Sequence, residues 1–184
     1  MSFKSIKYIV ISLAWLLIAW KAINASMTYD ESVTVFYIQD ANIWSWLFDK
    51  TQWSNANNHW LNTLLMQWST GLFGNSEIAI RLFNVLSYGF YGFFVLKISE
   101  KIDNRYLETL FILMMCFNPY VNDFFSTVRG YCYSITFITG MLYYVSQYND
   151  FNRPKDLYFA VISAYISTLS MLSSLIFIPA IGIS

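Results

Sequence analysis

YIVISLAWLLIAW, residues 8–20, is the run whose reading decides the fold. It carries no charge, and with its flanks over 7–23 it is long enough to cross about 30 Å of hydrocarbon as a helix. Lys4 and Lys7 precede it, while Trp15, Trp20 and then Lys21 mark a helix reaching a membrane interface. A signal peptide begins in the same way, and the small residues of 24–26 imitate a cleavage site. The Trp and Lys pattern favours a retained first span.

Outward from this run, four more apolar segments follow over 81–98, 106–121, 131–148 and 157–183, separated by the charged stretches KISEKIDNR (97–105) and NDFNRPKD (149–156). Gly89 and Gly92 allow close helix packing in the first of them, Asn118 and Pro119 interrupt the second, and Pro179 falls near the end of the last. With 57% hydrophobic, 20% aromatic and 12% charged residues, the composition is that of an integral membrane protein rather than a soluble domain. The expected fold is therefore an all-α polytopic membrane protein. It has about five transmembrane helices in one membrane domain over 1–184, with amphipathic juxtamembrane helices in the first outer loop. The net charge is zero, which argues against nucleic acid. Cys116 and Cys132 lack any metal or redox spacing and read as small buried residues.

The loop over 24–80 is too polar to span and too apolar to be a free linker. Residues 28–81 hold five of the seven tryptophans, the only histidine, and the adjacent acids Asp30 and Glu31. Val33, Phe36 and Tyr37 suggest a short amphipathic helix over 31–39, and Leu61, Leu64, Leu65 and Trp68 share one face of a second over 59–68. Such helices belong at the headgroup level. Gly74 reads as a helix stop, with Asn75 or Ser76 capping the next helix.

With the N-terminus inside, the inner segments carry Lys4, Lys7, Lys97, Lys101, Arg105, Arg153 and Lys155, and the outer ones carry Lys21, Lys50, Arg81 and Arg129. This excess on the inner side sets the orientation. The large loop and the DFFSTVRGY turn (123–131) then share the outer side and can meet in one site.

Asp30 and Glu31 sit where a carboxylate is half desolvated and its pKa can rise towards a general base's range. Neighbours on a helix point about 100° apart, so the two acids have different jobs: Asp30 could face a substrate while Glu31 caps or pairs. Acids in a helix's first turn also serve as plain caps. His59, among Asn57, Asn58 and Asn62, suits a hydroxylated ligand such as a sugar, or equally a run of turn and cap residues. Glu77 and Arg81 stand in the favourable order for a helical ion pair. Arg129, followed by Gly130 and Tyr131, suits bidentate capture of a phosphate at the surface, with snorkelling to lipid phosphate as the alternative. One histidine is too few for an ordinary zinc site.

TYDES (28–32), NNHWLNTLLMQW (57–68), LFGNSEIAIRLFNVLSY (72–88) and FNPYVNDFFSTVRGYCYS (117–134), in this order, resemble the N-terminal part of the GT-C class of polytopic glycosyltransferases. That class includes the bacterial relatives of dolichyl-phosphate-mannose protein mannosyltransferases. The resemblance covers nearly the whole chain and rests on the order and spacing of the motifs. It implies transfer of a sugar from a polyprenyl-phosphate carrier to an acceptor at the outer face of a bacterial inner membrane, with the N-terminus cytoplasmic. It assigns Asp30 as base, with Glu31 beside it, and Arg129 to the phosphate. His59, Asn58, Asn62 and Tyr131 would line the sugar or acceptor pocket. No cofactor is expected, and a divalent metal stays open. Members of the class usually have more spans, so the chain is expected to be incomplete at its C-terminus or to need a partner subunit that completes the cavity.

Two other readings compete. A non-catalytic membrane subunit or remnant would bind lipid or a neighbour through the Trp-rich loop. A transporter is disfavoured, because ionisable residues cluster at segment ends rather than at mid-membrane.

Overall fold

The computed structural model describes residues 3–39, 59–171 and 173–174. Among them the chain is all helical, with no strand: α1 (Phe3–Asn24), α2 (Tyr29–Gln39), α3 (Trp60–Phe73), α4 (Glu77–Ser99), α5 (Arg105–Cys116), α6 (Pro119–Ser126), α7 (Tyr131–Phe151) and α8 (Pro154–Ser170). Two stretches, Ser5–Asn24 and Glu77–Ser99, are long and apolar enough to cross a membrane.

Helix α4 is the centre, packed against α1, α3, α5, α6 and α7, while α7 and α8 form a tight hairpin. Its glycines make this possible. Gly89 lies against the Trp15 ring, and a Cβ at Gly92 would come within 2.7 Å of Ile11, so α1 and α4 approach over small residues. The Trp15 indole N–H donates to the Val85 carbonyl at 2.8 Å, which ties it to α4 rather than to a headgroup.

The contacts show α1 antiparallel to α4, then α5 with α6, α7 and α8 alternating in direction between two polar ends, while α2 and α3 both lie at the second of these ends. At one end Lys7 pairs with Glu108, Lys101 with Asp150, and Arg153 with Asp156. At the other end Lys21 pairs with Asp123, Arg81 with Glu31, and Arg129 with Asp30. The first end gathers the start of α1, the end of α4, the start of α5 and the α7–α8 turn. The second gathers the end of α1, the starts of α4 and α7, and the end of α8.

The expected single segment over 106–121 is two helices, broken at 117–118. Pro119 has no N–H for the Met115 carbonyl four residues back. The Tyr91 hydroxyl donates to that carbonyl instead, at 3.1 Å. The Asn118 side chain caps α6 by accepting from Tyr120 N at 3.0 Å, and the Cys116 carbonyl receives the Tyr88 hydroxyl at 3.4 Å. The break thus leaves no buried carbonyl of these two residues unmatched. The last expected span, 157–183, also differs: α8 begins at Pro154 and ends at Ser170, and residues 175–184 lie outside the described residues.

Several helices turn their small and polar residues inward. In α8, Ala160, Ser163, Ala164, Ser167 and Ser170 are buried, while Tyr158, Val161, Tyr165 and Leu169 face out. In α3, Asn62, Thr63, Met66 and Ser69 are buried, and Trp68, Leu72 and Phe73 face out. The face expected for α3 is therefore split: Leu61 and Leu65 pack on the core, but Trp68 does not. Its inner face is polar because the Ser69 hydroxyl donates to the Ala79 carbonyl of α4. Gly74, at φ 77°, ends α3, and Ser76 caps α4 by accepting from Ala79 N at 3.3 Å.

Candidate functional site

The second polar end is organised by the start of α2. Thr28 and Glu31 form a reciprocal capping box: Glu31 Oε2 accepts from Thr28 N at 2.7 Å, and Thr28 Oγ1 accepts from Glu31 N at 3.4 Å. The same carboxylate receives Arg81 Nε and Nη2, each at 2.9 Å, and Val128 N at 2.8 Å. Arg81 completes its set on the carbonyls of Ala22, Ala25 and Ser26, so every N–H of the guanidinium has an acceptor at the end of α1 or the start of α2.

This arrangement corrects the expected Glu77–Arg81 pair and decides between the two roles open to Glu31. Arg81 pairs with Glu31 and not with Glu77, because the turn from α1 into α2 brings a carboxylate and three carbonyls to its fork. Glu31 is fully buried and saturated, so it serves as the structural anchor of this end and has no free lone pair with which to act as a base. Burial by itself would raise its pKa. The Arg81 hydrogen bonds and the Thr28 and Val128 N–H donors outweigh burial and hold the carboxyl below its ordinary value.

Glu31 and Asn84 together hold the turn between α6 and α7. The Asn84 amide donates to the Thr127 carbonyl at 2.6 Å and accepts from the Tyr133 hydroxyl at 2.7 Å. With Val128 N on Glu31, the backbone on the N-terminal side of Arg129 is fixed from α2 and from α4. On its other side, Gly130 is packed under His59 and the Ser170 carbonyl, with no room for a Cβ: one would fall 2.6 Å from His59 Cγ.

From this immobile root, the Arg129 side chain reaches Asp30, the neighbour of Glu31 on α2, through Nη2. This pair differs from the buried one beside it. The side chains of Arg129 and Asp30 are 36% and 46% exposed, and among the described residues Arg129 Nε and Nη1 have no acceptor. Among the described residues Arg129 thus keeps donors that a ligand could use, and Arg81 keeps none.

His59 precedes α3 without capping it; its Nδ1 lies 3.0 Å from the Ser170 carbonyl at the end of α8. Its ring stands 5.3 Å from Tyr131, which stacks on Phe124 at 4.8 Å. Burial, and secondarily the charge of Arg129, push the His59 pKa below its ordinary value against the pull of the Ser170 hydrogen bond. Asn62, one turn along α3, is buried, and its Oδ1 has no hydrogen-bond partner. Asn58 lies outside the described residues.

The end of the bundle thus brings together Asp30, His59 and, from the α6–α7 turn and the start of α7, Arg129 and Tyr131: three parts of the chain. Sequence reasoning missed Asn84 and the Ser170 carbonyl, and named Gly130 without its packing against His59. Asn84 carried a signal, an amide in the middle of an apolar run, whereas a backbone carbonyl carries none. Among the described residues no group of three His, Cys, Asp or Glu side chains is placed to hold a metal ion. No family model, curated protein or solved structure matches the chain.

Proposed function

We propose that the protein is a multi-pass membrane glycosyltransferase, or the N-terminal part of one. It would move a sugar from a polyprenyl-phosphate carrier to an acceptor at the outer face of a bacterial inner membrane. The observation that carries this reading is the half-exposed Asp30–Arg129 pair, set on a rigid turn beside His59 and Tyr131 at one end of a bundle whose outer surface is large and apolar. Side chains such as Tyr158, Val161, Tyr165 and Leu169 pointing outward, with serines and alanines inward, suit lipid rather than water. Five traversals of the bundle would be five crossings, with α5 and α6 making up the third. Seven lysines and arginines on the inner segments against four on the outer favour a cytoplasmic N-terminus.

In the reaction, Asp30 takes the proton from the acceptor hydroxyl as its oxygen bonds to the anomeric carbon. The bond from that carbon to the phosphate oxygen breaks, and the polyprenyl phosphate leaves with the electron pair, its charge met by Arg129. At rest the Asp30 carboxylate is occupied by Arg129. A phosphate competing for the guanidinium frees the carboxylate, so base and leaving-group stabiliser become available together. The test is transfer from a radiolabelled polyprenyl-phosphate hexose in proteoliposomes, with Asp30→Asn as control; undiminished transfer by the variant removes Asp30 from this role.

A second reading has its own observation: Asp30 and Arg129 already neutralise each other, as two residues of a non-catalytic membrane subunit would. A photoreactive polyprenyl-phosphate hexose separates the two readings. It labels an enzyme near Arg129 and leaves a subunit without a donor site unlabelled.

A further inference from the structure

We propose that His59 is a hydroxyl acceptor of fixed polarity: the Ser170 carbonyl holds the imidazole as its Nδ1–H tautomer, and the bare Nε2 receives a ligand hydroxyl beside an anion on Arg129. The ligand class is a polyol or sugar bearing a phosphate. Its sugar-phosphate identity rests on the reading under Proposed function, whereas the polarity of His59 does not.

A carbonyl oxygen only accepts, so at 3.0 Å Nδ1 must carry the proton. A neutral imidazole protonated there leaves a lone pair on Nε2, and among the described residues Nε2 has no donor. The ring cannot turn over without losing the Ser170 bond, and Gly130 packs directly beneath its Cγ and Cβ. Next to it stands Arg129, whose Nε and Nη1 have no acceptor among the described residues. One group that only donates and one that only accepts therefore lie on adjacent elements, an arrangement that discriminates a hydroxyl-bearing phosphate from a bare one. The Tyr131 ring, backed by Phe124, forms the neighbouring wall.

Protonation would convert Nε2 from acceptor to donor and place two cations side by side. Among the described residues the groups facing His59 are Arg129 from the α6–α7 turn, with its counter-charge Asp30 from α2, the Tyr131 phenol from α7 and the Ser170 carbonyl from α8. Burial and the Arg129 charge keep the ring neutral at neutral pH.

The chain has one histidine, so protein labelled with 15N-histidine and purified through a tag without histidine gives one pair of imidazole signals. In lipid nanodiscs at pH 7 the expected spectrum has Nδ1 protonated and Nε2 bare, with Nε2 moving on addition of glucose 1-phosphate or mannose 1-phosphate but not inorganic phosphate. His59→Asn keeps an N–H for Ser170 and removes Nε2. It should weaken hexose 1-phosphate binding roughly three- to tenfold while leaving inorganic phosphate binding intact; a merely structural histidine would weaken both. An Nε2–H tautomer, an imidazolium at pH 7, or an Nε2 signal that neither hexose phosphate moves overturns the proposal. Wild-type protein that fails to transfer from a lipid-linked donor, yet shows the expected Nε2 response, sinks the transferase alone.

Discussion

Glu31 and Arg81, fifty residues apart, meet through two parallel hydrogen bonds of 2.9 Å with neither side chain exposed beyond 1%. The pair joins the end of α1, the start of α2 and the start of α4, and through Val128 N it also holds the turn that carries Arg129. Its neighbour, Asp30 with Arg129, is half in water. Adjacent acids on one helix have thus been given different work, one as a fastening and one as a group a ligand can reach.

Breaking the fastening from one side should be costly. Glu31→Leu or Arg81→Met leaves the partner charge buried, at a cost of about 3–5 kcal/mol. The double variant Glu31→Leu/Arg81→Met should recover much of that loss. Thermal unfolding in detergent micelles of the two singles and the double measures the coupling, and additive losses would show that the pair is not the unit it looks like.

Acid should act through the same carboxyl. Its pKa is lowered in the folded protein, so its stabilising contribution is fully present above the unfolded value of 4.5 and is lost as pH falls through the lower folded value. Wild-type stability should drop with pH below about 4.5, and the Glu31→Leu/Arg81→Met protein should show a shallower slope there.

Asp30→Asn should change stability by less than about 1 kcal/mol, since the pair is exposed to water and screened. It should also release Arg129. The expected pattern is phosphate-bearing donor bound at least as tightly as by wild type, with transfer abolished. Weaker donor binding in Asp30→Asn would show that Asp30 contacts the donor and does not compete with it.

Gly130→Ala tests how closely the turn is built. The backbone at Gly130 is ordinary, with φ −64°, so the penalty comes from space alone: the new methyl meets His59 and the Ser170 carbonyl. A loss of about 1–3 kcal/mol is expected from overpacking, together with a broken Nδ1 hydrogen bond visible in the His59 imidazole signals.

The all-helical character was legible at the level of single segments. A run such as 8–20 has no charge and no other way to satisfy its backbone in an apolar setting, and Gly74 with Ser76 punctuated α3 and α4 by local chemistry. The capping box of α2 was also written in Thr28 and Glu31, three residues apart. The break between α5 and α6 was half legible: Asn118 and Pro119 announced it, but the hydroxyls of Tyr88 and Tyr91 that make it affordable come from another helix.

The sequence by itself determined which residues were available for chemistry at this end of the molecule, because Asp30, His59 and Arg129 are rare ionisable groups at the edges of apolar runs. Helical geometry already separated the two acids, with Asp30 able to face a ligand and Glu31 to cap or pair; only the tertiary structure decided what Glu31 pairs with. Glu77 was the partner of Arg81 at helical spacing, and Glu31 won because it arrived with three backbone carbonyls already aimed at the same guanidinium. Local spacing sets which side chains can meet within a helix; it carries no information about acceptors that another helix end brings to the same fork. That is why Arg81 is satisfied, Glu31 is fixed, and Asp30 and Arg129 are left half in water.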